Sequence, residues 1–355
     1  MKQIYLDYAA ATPVDPEVFE VMLPYFSEKF YNPSAVYLAA HDVSRDLSAA
    51  RSAVAQCIGA RPVEVTFTAG GTEANNLAIF GVLAAFPGSK IVTSSIEHDS
   101  VLEAARQHDC TEAPVNERGI VDVARLEQVI DDETVLISVM YANNEIGTIQ
   151  PIRNITALVS RIRSERKARG IALPLYVHTD AAQAGNYLDI HVSRLGVDLM
   201  TLNGGKIYGP KASGVLYVRS GVVVRPLVYG GGQEHGLRSG TENVAGAIGF
   251  ARALELAQEK RGDETRRLQD LQQYFISELK TKISEVVING SLKKRLPNNV
   301  HVTIPGADNE RLLFALDERG ILAAAGSACS ASSDEASHVL YALGLSDERA
   351  RSSLR

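Results

Sequence analysis

The run Asn203-Gly204-Gly205-Lys206 puts a lysine just after an apolar stretch at 199–202, in a turn whose glycines let the backbone bend sharply and come close to a ligand. A lysine delivered there from a strand end is expected to be buried. Desolvation lowers an ammonium pKa, and an amine that is neutral near pH 7 condenses with an aldehyde, so Lys206 is a Schiff-base candidate. Most lysines in Gly-rich turns are solvated surface residues, and Lys211 in Gly209-Pro210-Lys211 reads that way. What distinguishes Lys206 is the company that other segments should bring to it.

Those segments follow in order. Asp15-Pro16 starts a helix, with an acid at the N-cap and proline in the first turn, expected to end near Tyr25. Asn32-Pro33-Ser34 marks a loop, and from His41 the positions Val43, Leu47, Ala50, Val54 and Ile58 keep helical spacing until Gly59. Residues 63–67 read as a strand, followed by Thr68-Ala69-Gly70-Gly71-Thr72-Glu73 and a helical run at 74–83. A strand, a glycine pair and a helix N-terminus offer unpaired N–H groups and a positive dipole end to a phosphate, although an ordinary helix cap has the same wording. Strands at 90–94, 135–141 and 175–178 then alternate with helices at 100–107, 123–130 and 152–163. This is the pattern of a mostly parallel sheet covered by helices on both faces, with ligands at the carboxyl ends of the strands. The polar residues after successive strands are Glu97-His98, Asn143-Asn144-Glu145, and Asp180 with Gln183. Singly they read as a surface histidine, a turn pair and a helix cap; jointly they should converge on Lys206.

A net charge of -6 with acids and bases intermixed gives no basic tract, which argues against direct nucleic-acid binding. The opening residues Met1 to Asp7 lack the apolar region of a signal peptide, and no apolar run approaches the ~20 residues of a membrane helix, so a cytoplasmic protein without a membrane role is expected. The 355 residues can bury a large core, with a second, smaller unit. Cys57, Cys110 and Cys329 show no metal-type spacing. Cys57 falls in the last turn of a helix and reads as a core residue, and Cys110 as structural or exposed.

One cofactor accounts for the set. Pyridoxal phosphate needs a lysine for its aldehyde, a carboxylate at its ring nitrogen, a donor near its phenolic oxygen, a flat group on its ring and an anion site. Lys206, Asp180, Gln183, His98 and the Gly71-Thr72 turn supply these in turn.

The matching stretches are Tyr5-Leu6-Asp7 with Ala9-Ala10, Asn32-Pro33-Ser34, Gly71-Thr72-Glu73, Glu97-His98, Asn143 to Gly147, Asp180 to Gln183, Gly205 to Lys211, Arg238 to Asn243, and Gly326-Ser327-Ala328-Cys329-Ser330. Over nearly its whole length the chain resembles the class V aminotransferase group of pyridoxal-phosphate enzymes, and within it the cysteine desulfurases with the longer, flexible catalytic-cysteine loop. The resemblance implies an α/β fold of the fold-type I transferases, a large, mostly parallel sheet domain at 15–255 and a smaller α+β domain made of 1–14 and 256–355. It implies Lys206 as the cofactor's covalent anchor, His98 on its ring, Asp180 at the pyridine nitrogen and Gln183 near the phenolic oxygen. Thr72 and Asn203 would face the phosphate, Thr241 would reach a phosphate across a homodimer interface, and Asn32, Asn144 and Arg355 would meet the substrate. Members of the group usually carry serine and histidine where this chain has Asn203 and Gly205, histidine at Tyr37 and asparagine at Tyr8.

Residues 326–333, all small or polar with one thiol, have the composition of a mobile loop, and Cys329 is the implied nucleophile. The implied activity removes sulfur from L-cysteine, leaving alanine and a Cys329 persulfide for an acceptor such as an iron-sulfur scaffold or a tRNA-thiolation protein. An aminotransferase, a selenocysteine lyase and a degenerate homologue are the alternatives. Relatives continue beyond the position of Arg355, and a ligand on a terminal residue is expected to be poorly held.

Overall fold

The computed structural model describes residues 3–326 and 336–355. In chain order its strands are β1 (Ile4–Tyr5), β2 (Val65–Thr68), β3 (Lys90–Ser94), β4 (Cys110–Ala113), β5 (Thr134–Ser138), β6 (Tyr176–Asp180), β7 (Leu199–Asn203), β8 (Gly214–Val218), β9 (Val287–Ile288), β10 (Val302–Thr303), β11 (Ile321–Leu322) and β12 (Ser353–Leu354). The helices are α1 (Pro16–Met22), α2 (Pro24–Ser27), α3 (Leu38–Ile58), α4 (Gly71–Ala85), α5 (Asp99–Ala105), α6 (Val123–Val129), α7 (Ile152–Ala168), α8 (Val192–Leu195), α9 (Val244–Lys282), α10 (Asn309–Asp317), α11 (His338–Ala342) and α12 (Asp347–Ala350).

Seven strands form one sheet in the order β2-β8-β7-β6-β5-β3-β4. All neighbours are parallel except those of β8, which runs antiparallel to both β2 and β7. Strands β5 and β6 are buried at every position, as central parallel strands between two helical layers should be, even though β6 carries His178, Thr179 and Asp180. One core cluster packs Val54, Ile137, Met200 and Phe250, and another packs Leu77, Ile79, Leu136 and Leu199. The carboxyl ends of four adjacent parallel strands, β7, β6, β5 and β3, therefore open on one edge.

The expected mostly parallel sheet is found, with two strands that the sequence pattern did not flag. β4 is a partly exposed edge strand, and β8 begins on a glycine. The helix expected to reach Tyr25 breaks at Leu23, because Pro24 opens a separate turn of helix. The helix ending at Gly59 is found; Gly59 caps α3 in the left-handed conformation. Cys57 packs partly buried against the core, where burial pushes its thiol up to about 11. Cys110 is half-buried on β4.

The C-terminal part adds an antiparallel sheet in the order β12-β10-β9, and β1 crosses to pair in parallel with β11. A bridge between Thr148 and Arg295 ties this part to the loop after β5. Asn299 Nδ2 adds a bond to the Glu145 carbonyl at 2.7 Å. Among the described residues no helix is long and apolar enough to cross a membrane.

Gly214 shows how the fold shapes the anion turn. A Cβ there would stand 2.6 Å from the Gly70 carbonyl carbon, backbone against backbone, so neither side can yield cheaply. Gly214→Ala should cost about 1–3 kcal/mol of stability, read as an earlier urea midpoint. An unchanged midpoint would show that the β2–β8 crossing is looser than this contact implies.

Candidate active site

Lys206 closes a single 3-10 turn, Gly204–Lys206, directly after β7. The turn is held tightly: Asn203 Oδ1 accepts from Gly205 N at 3.1 Å, and Thr12 bonds both sides of the lysine, its N–H to the Gly205 carbonyl and its Oγ1 from Tyr208 N. Tyr208 pays no glycine's freedom and still sits at φ 61°, a strained position of the kind that clusters at functional sites. The Lys206 amine donates to the Ala9 carbonyl at 2.9 Å and to that of Ala10. Contrary to the expectation of full burial, the side chain is only part-buried, because it lies in an open cavity. Lys211 is exposed, as expected, and donates to the Thr12 carbonyl.

The same cavity is lined by Gly71, Thr72, His98, Asn144, Asp180, Gln183, Asn203 and Arg355. Asp180, the last residue of β6, is buried; Asn75 Nδ2 donates to its Oδ2 at 2.8 Å and Ala182 N to its Oδ1 at 2.9 Å. Among the described residues it has no ion-pair partner. The run from Ala181 to Gln183 is a turn and not the alternative helix cap, and it aims Gln183 Nε2 at the Ala9 carbonyl at 3.0 Å.

His98 caps α5. Ser100 N donates to its Nδ1 at 3.1 Å, so in the neutral ring the proton sits on Nε2. Gly71 opens α4, a helix of 15 residues, after Gly70 at φ 138°. The Asn203 amide nitrogen would be 3.3 Å from a Cβ on Gly71, which puts a neutral donor beside the helix N-terminus. Glu73 in that first turn pairs with Arg238 at 3.0 Å and so fixes the segment that leads to Thr241.

Arg355 is not loosely held. Its backbone exchanges hydrogen bonds with Ala324, its Nη2 meets Asp7 Oδ1 at 2.6 Å, and its Nη1 donates to the Asn144 carbonyl at 3.0 Å. Its side chain is 6% exposed. Pairing of β12 with β10 fixes the two residues that precede it.

Asn32 does not reach the cavity: it is exposed and caps its own turn by accepting from Ser34 N. Thr241, expected at the phosphate of a second chain, lines a separate groove with Arg238 and Glu242. Asn143 follows the plain reading of a turn residue, accepting from Glu145 N and Ile146 N. Cys329 lies outside the described residues. Missed by sequence reasoning were the Ala9 and Ala10 carbonyls, Asn75 and Asp7. Asn75 could have been found three residues after Thr72 on one helical face; main-chain acceptors leave no signature.

Two buried acids support the site from behind. Glu97 Oε1 accepts from the Ser94 hydroxyl and from Met140 N at 2.8 Å. Burial pushes its carboxyl up to about 8, against the pull of those two bonds and with help from the Asp180 charge. Burial also raises Glu145, against a bond from Ser337 and the charges of His338 and Arg355.

A parallel sheet whose strand ends gather an amine, a buried carboxylate with no cation among the described residues and a helix N-terminus suits a pyridoxal-phosphate enzyme. The family described as Aminotransferase class-V matches residues 4–354, and the chain belongs to it. Within it the chain belongs with the cysteine desulfurases. It is 43% identical over 361 residues to "Cysteine desulfurase IscS" of Dictyoglomus turgidum, covering 100% of this chain and 89% of that protein. The protein of the same name from Methanosarcina thermophila is also 43% identical, covering 100% of this chain and 86% of that one. A solved "NIFS-LIKE PROTEIN" superposes with a TM-score of 0.91 at 33% identity, covering 99% of this chain and 93% of its own. Another, "SspA in complex with cysteine", gives 0.85 at 35% identity, with 100% and 98% covered.

The donor set fits the cofactor of this family: Asp180 offers a buried carboxylate with no cation partner among the described residues, and Lys206 an amine in the same cavity.

Because the folded Glu97 holds its proton to about pH 8 and an unfolded glutamate does not, the folded state binds the extra proton between about pH 4.5 and 8. Stability from this group is therefore full below that window and lost across it. Glu97→Gln should flatten the decline in urea midpoint between pH 5 and 8, and an unchanged slope would contradict the assignment.

Proposed function

We propose that the protein is a pyridoxal-phosphate-dependent cysteine desulfurase, which takes sulfur from L-cysteine and leaves alanine and a persulfide on Cys329. The observation that carries this reading is the meeting of Lys206, Asp180 and Arg355 in one cavity. It provides an amine for an aldehyde, an acid for a ring nitrogen and a guanidinium for an amino acid's carboxylate. The relatives named cysteine desulfurase support the substrate.

Asp180 would hold the ring nitrogen, Gln183 the phenolic oxygen side, His98 the ring face, and Gly71, Thr72 and Asn203 the phosphate. When bound, pyridoxal phosphate supplies an aldehyde for the amine of the substrate and a ring that takes up charge from its α-carbon. Lys206, once its amine is free, removes the α-proton, and the carbonyls of Ala9 and Ala10 hold that amine in place. Arg355 binds the substrate carboxylate, with Asn144 beside it. The Cys329 thiolate attacks the substrate sulfur; the Cβ–S bond breaks with its electron pair left on Cβ, which takes up a proton, and Lys206 returns the α-proton to give alanine. The persulfide sulfur then passes to a separate acceptor, such as an iron-sulfur scaffold or a tRNA-thiolation protein.

A homodimer in the cytoplasm completes this reading. Thr241 and Asn32 stand outside the cavity of one chain, and the segment around Asn32 exposes Phe26, Phe30, Val36 and Leu38. Such an apolar stretch fits a second copy that brings Thr241 to the phosphate. Residues 15–255 would form the large unit, and 1–14 with 256–355 the small one, joined through β1 and β11.

Lys206→Ala should abolish turnover and the borohydride-reducible cofactor while the fold persists. Reduction of the unmodified protein should fix the cofactor on Lys206, and a label on Lys211 would overturn the assignment. Cys329→Ser should keep the bound cofactor yet release neither alanine nor sulfide. The unmodified protein, given cysteine without reductant, should carry one additional sulfur on the peptide containing Cys329, removable by a thiol. Release of alanine by Cys329→Ser at the unmodified rate would favour a lyase or an aminotransferase.

A further inference from the structure

Arg355 enters the cavity already engaged by an acid. Its side chain is 6% exposed and that of Asp7 17%, with Nη2 and Oδ1 2.6 Å apart. Both partners are fixed by backbone to the same stretch of chain. Leu6 N donates to the Leu322 carbonyl at 2.8 Å, and Arg355 N to that of Ala324 at 2.7 Å. The Tyr5 hydroxyl pins the Asp7 carbonyl at 2.9 Å. The distance between the charges is thus set by strands, and not by two flexible side chains finding each other.

The guanidinium is only partly used. Nη1 donates to the Asn144 carbonyl, while Nε is buried with no hydrogen-bond partner among the described residues. Each terminal nitrogen keeps a second N–H, and Arg355 lines the cavity, so donors remain for an incoming carboxylate. The charges decide how much anion those donors can take. Of the described charged groups on the cavity wall, Lys206 and Asp180 are taken up by the cofactor in the reading above, which leaves Arg355 for the substrate. Asp7, behind Arg355, balances that one charge. Glu97 and Glu145, the other buried acids nearby, are both driven toward their neutral forms by burial and add little to the count.

We propose that Asp7 is a specificity-determining residue: by neutralising Arg355 it lets the site accept an amino acid with one carboxylate and turn away ligands that bring a second. This rests on the reading of Arg355 as the carboxylate ligand. A first carboxylate gains charge-assisted hydrogen bonds from the N–H groups that Asp7 and Asn144 leave over. A second one meets the Asp7 charge behind the guanidinium and, among the described residues of the wall, no cation that the cofactor leaves over to receive it. A substrate with a neutral thiol side chain satisfies this condition, and an acidic side chain does not.

The test uses the cofactor-loaded protein and two non-reacting acids of equal length, butanoate and succinate, with binding measured by calorimetry. The unmodified protein should prefer butanoate by about tenfold or more. Asp7→Asn keeps an oxygen for Arg355 and removes the charge, and should shrink that preference by about tenfold. Asp7→Ser should do the same, and Asp7→Glu should restore the preference. Simple loosening of Arg355 would weaken both acids together and leave their ratio alone, so a constant ratio in the Asn and Ser variants overturns the proposal. Equal binding of the two acids by the unmodified protein also overturns it, even if no Asp7 variant folds. Arg355→Ala separates the two claims. If butanoate binds that variant undiminished, Arg355 is not the carboxylate ligand. If butanoate is lost there while the Asp7 variants keep the ratio, only the role of Asp7 fails.

Discussion

A buried carboxylate with hydrogen bonds but, among the described residues, no cation is the constraint on which the site depends. Asp180 is held by Asn75 from α4 and by the Ala182 N–H from its own turn. Such an acid is costly to bury unless something positive completes it. Because α4 also presents Gly71 and Thr72 to the cavity, one helix both steadies the acid and brings its N-terminus to the same space. The spacing between the two is thereby fixed by helix geometry and not by loop conformation.

The N-terminal segment performs a second kind of positioning. Three main-chain groups between Ala9 and Thr12 engage Lys206, Gln183 and the turn between them. Backbone carbonyls cannot titrate or rotate away, so they hold the amine without competing for its chemistry. Thr12, buried at 3% exposure, locks the strained Tyr208 and with it the direction in which the lysine leaves the turn.

Much of this was legible in the sequence, for a physical reason. Side chains that follow parallel strands must share one edge of the sheet, so His98, Asn144, Asp180, Gln183 and Lys206 could be grouped before any coordinate was known. What stayed hidden depends on partners distant in sequence. The hold on Arg355 comes from Asp7 and Ala324, and the carbonyls of Ala9 and Ala10 carry no residue-type signal. β8 was missed because its antiparallel course has no helix before it, and the break at Leu23 because Pro24 can equally open a helix. The separate positions of Thr241 and Asn32 follow from the path of one chain, which motif wording does not specify.

Helix α9 carries a consequence of a mechanical kind. Its 39 residues make a rod of about 58 Å, rooted by Phe250 and Leu254 in the main core and running out toward the C-terminal sheet. A rod of that length is a lever: a tilt of a few degrees at its root displaces its tip by several ångströms. The Gln272 amide, far along the rod, bonds the Leu296 and Asn299 carbonyls, and Asn299 in turn grips the loop after β5. The lever is thus braced at two points into a triangulated truss, which transmits force between the two sheets with little slack.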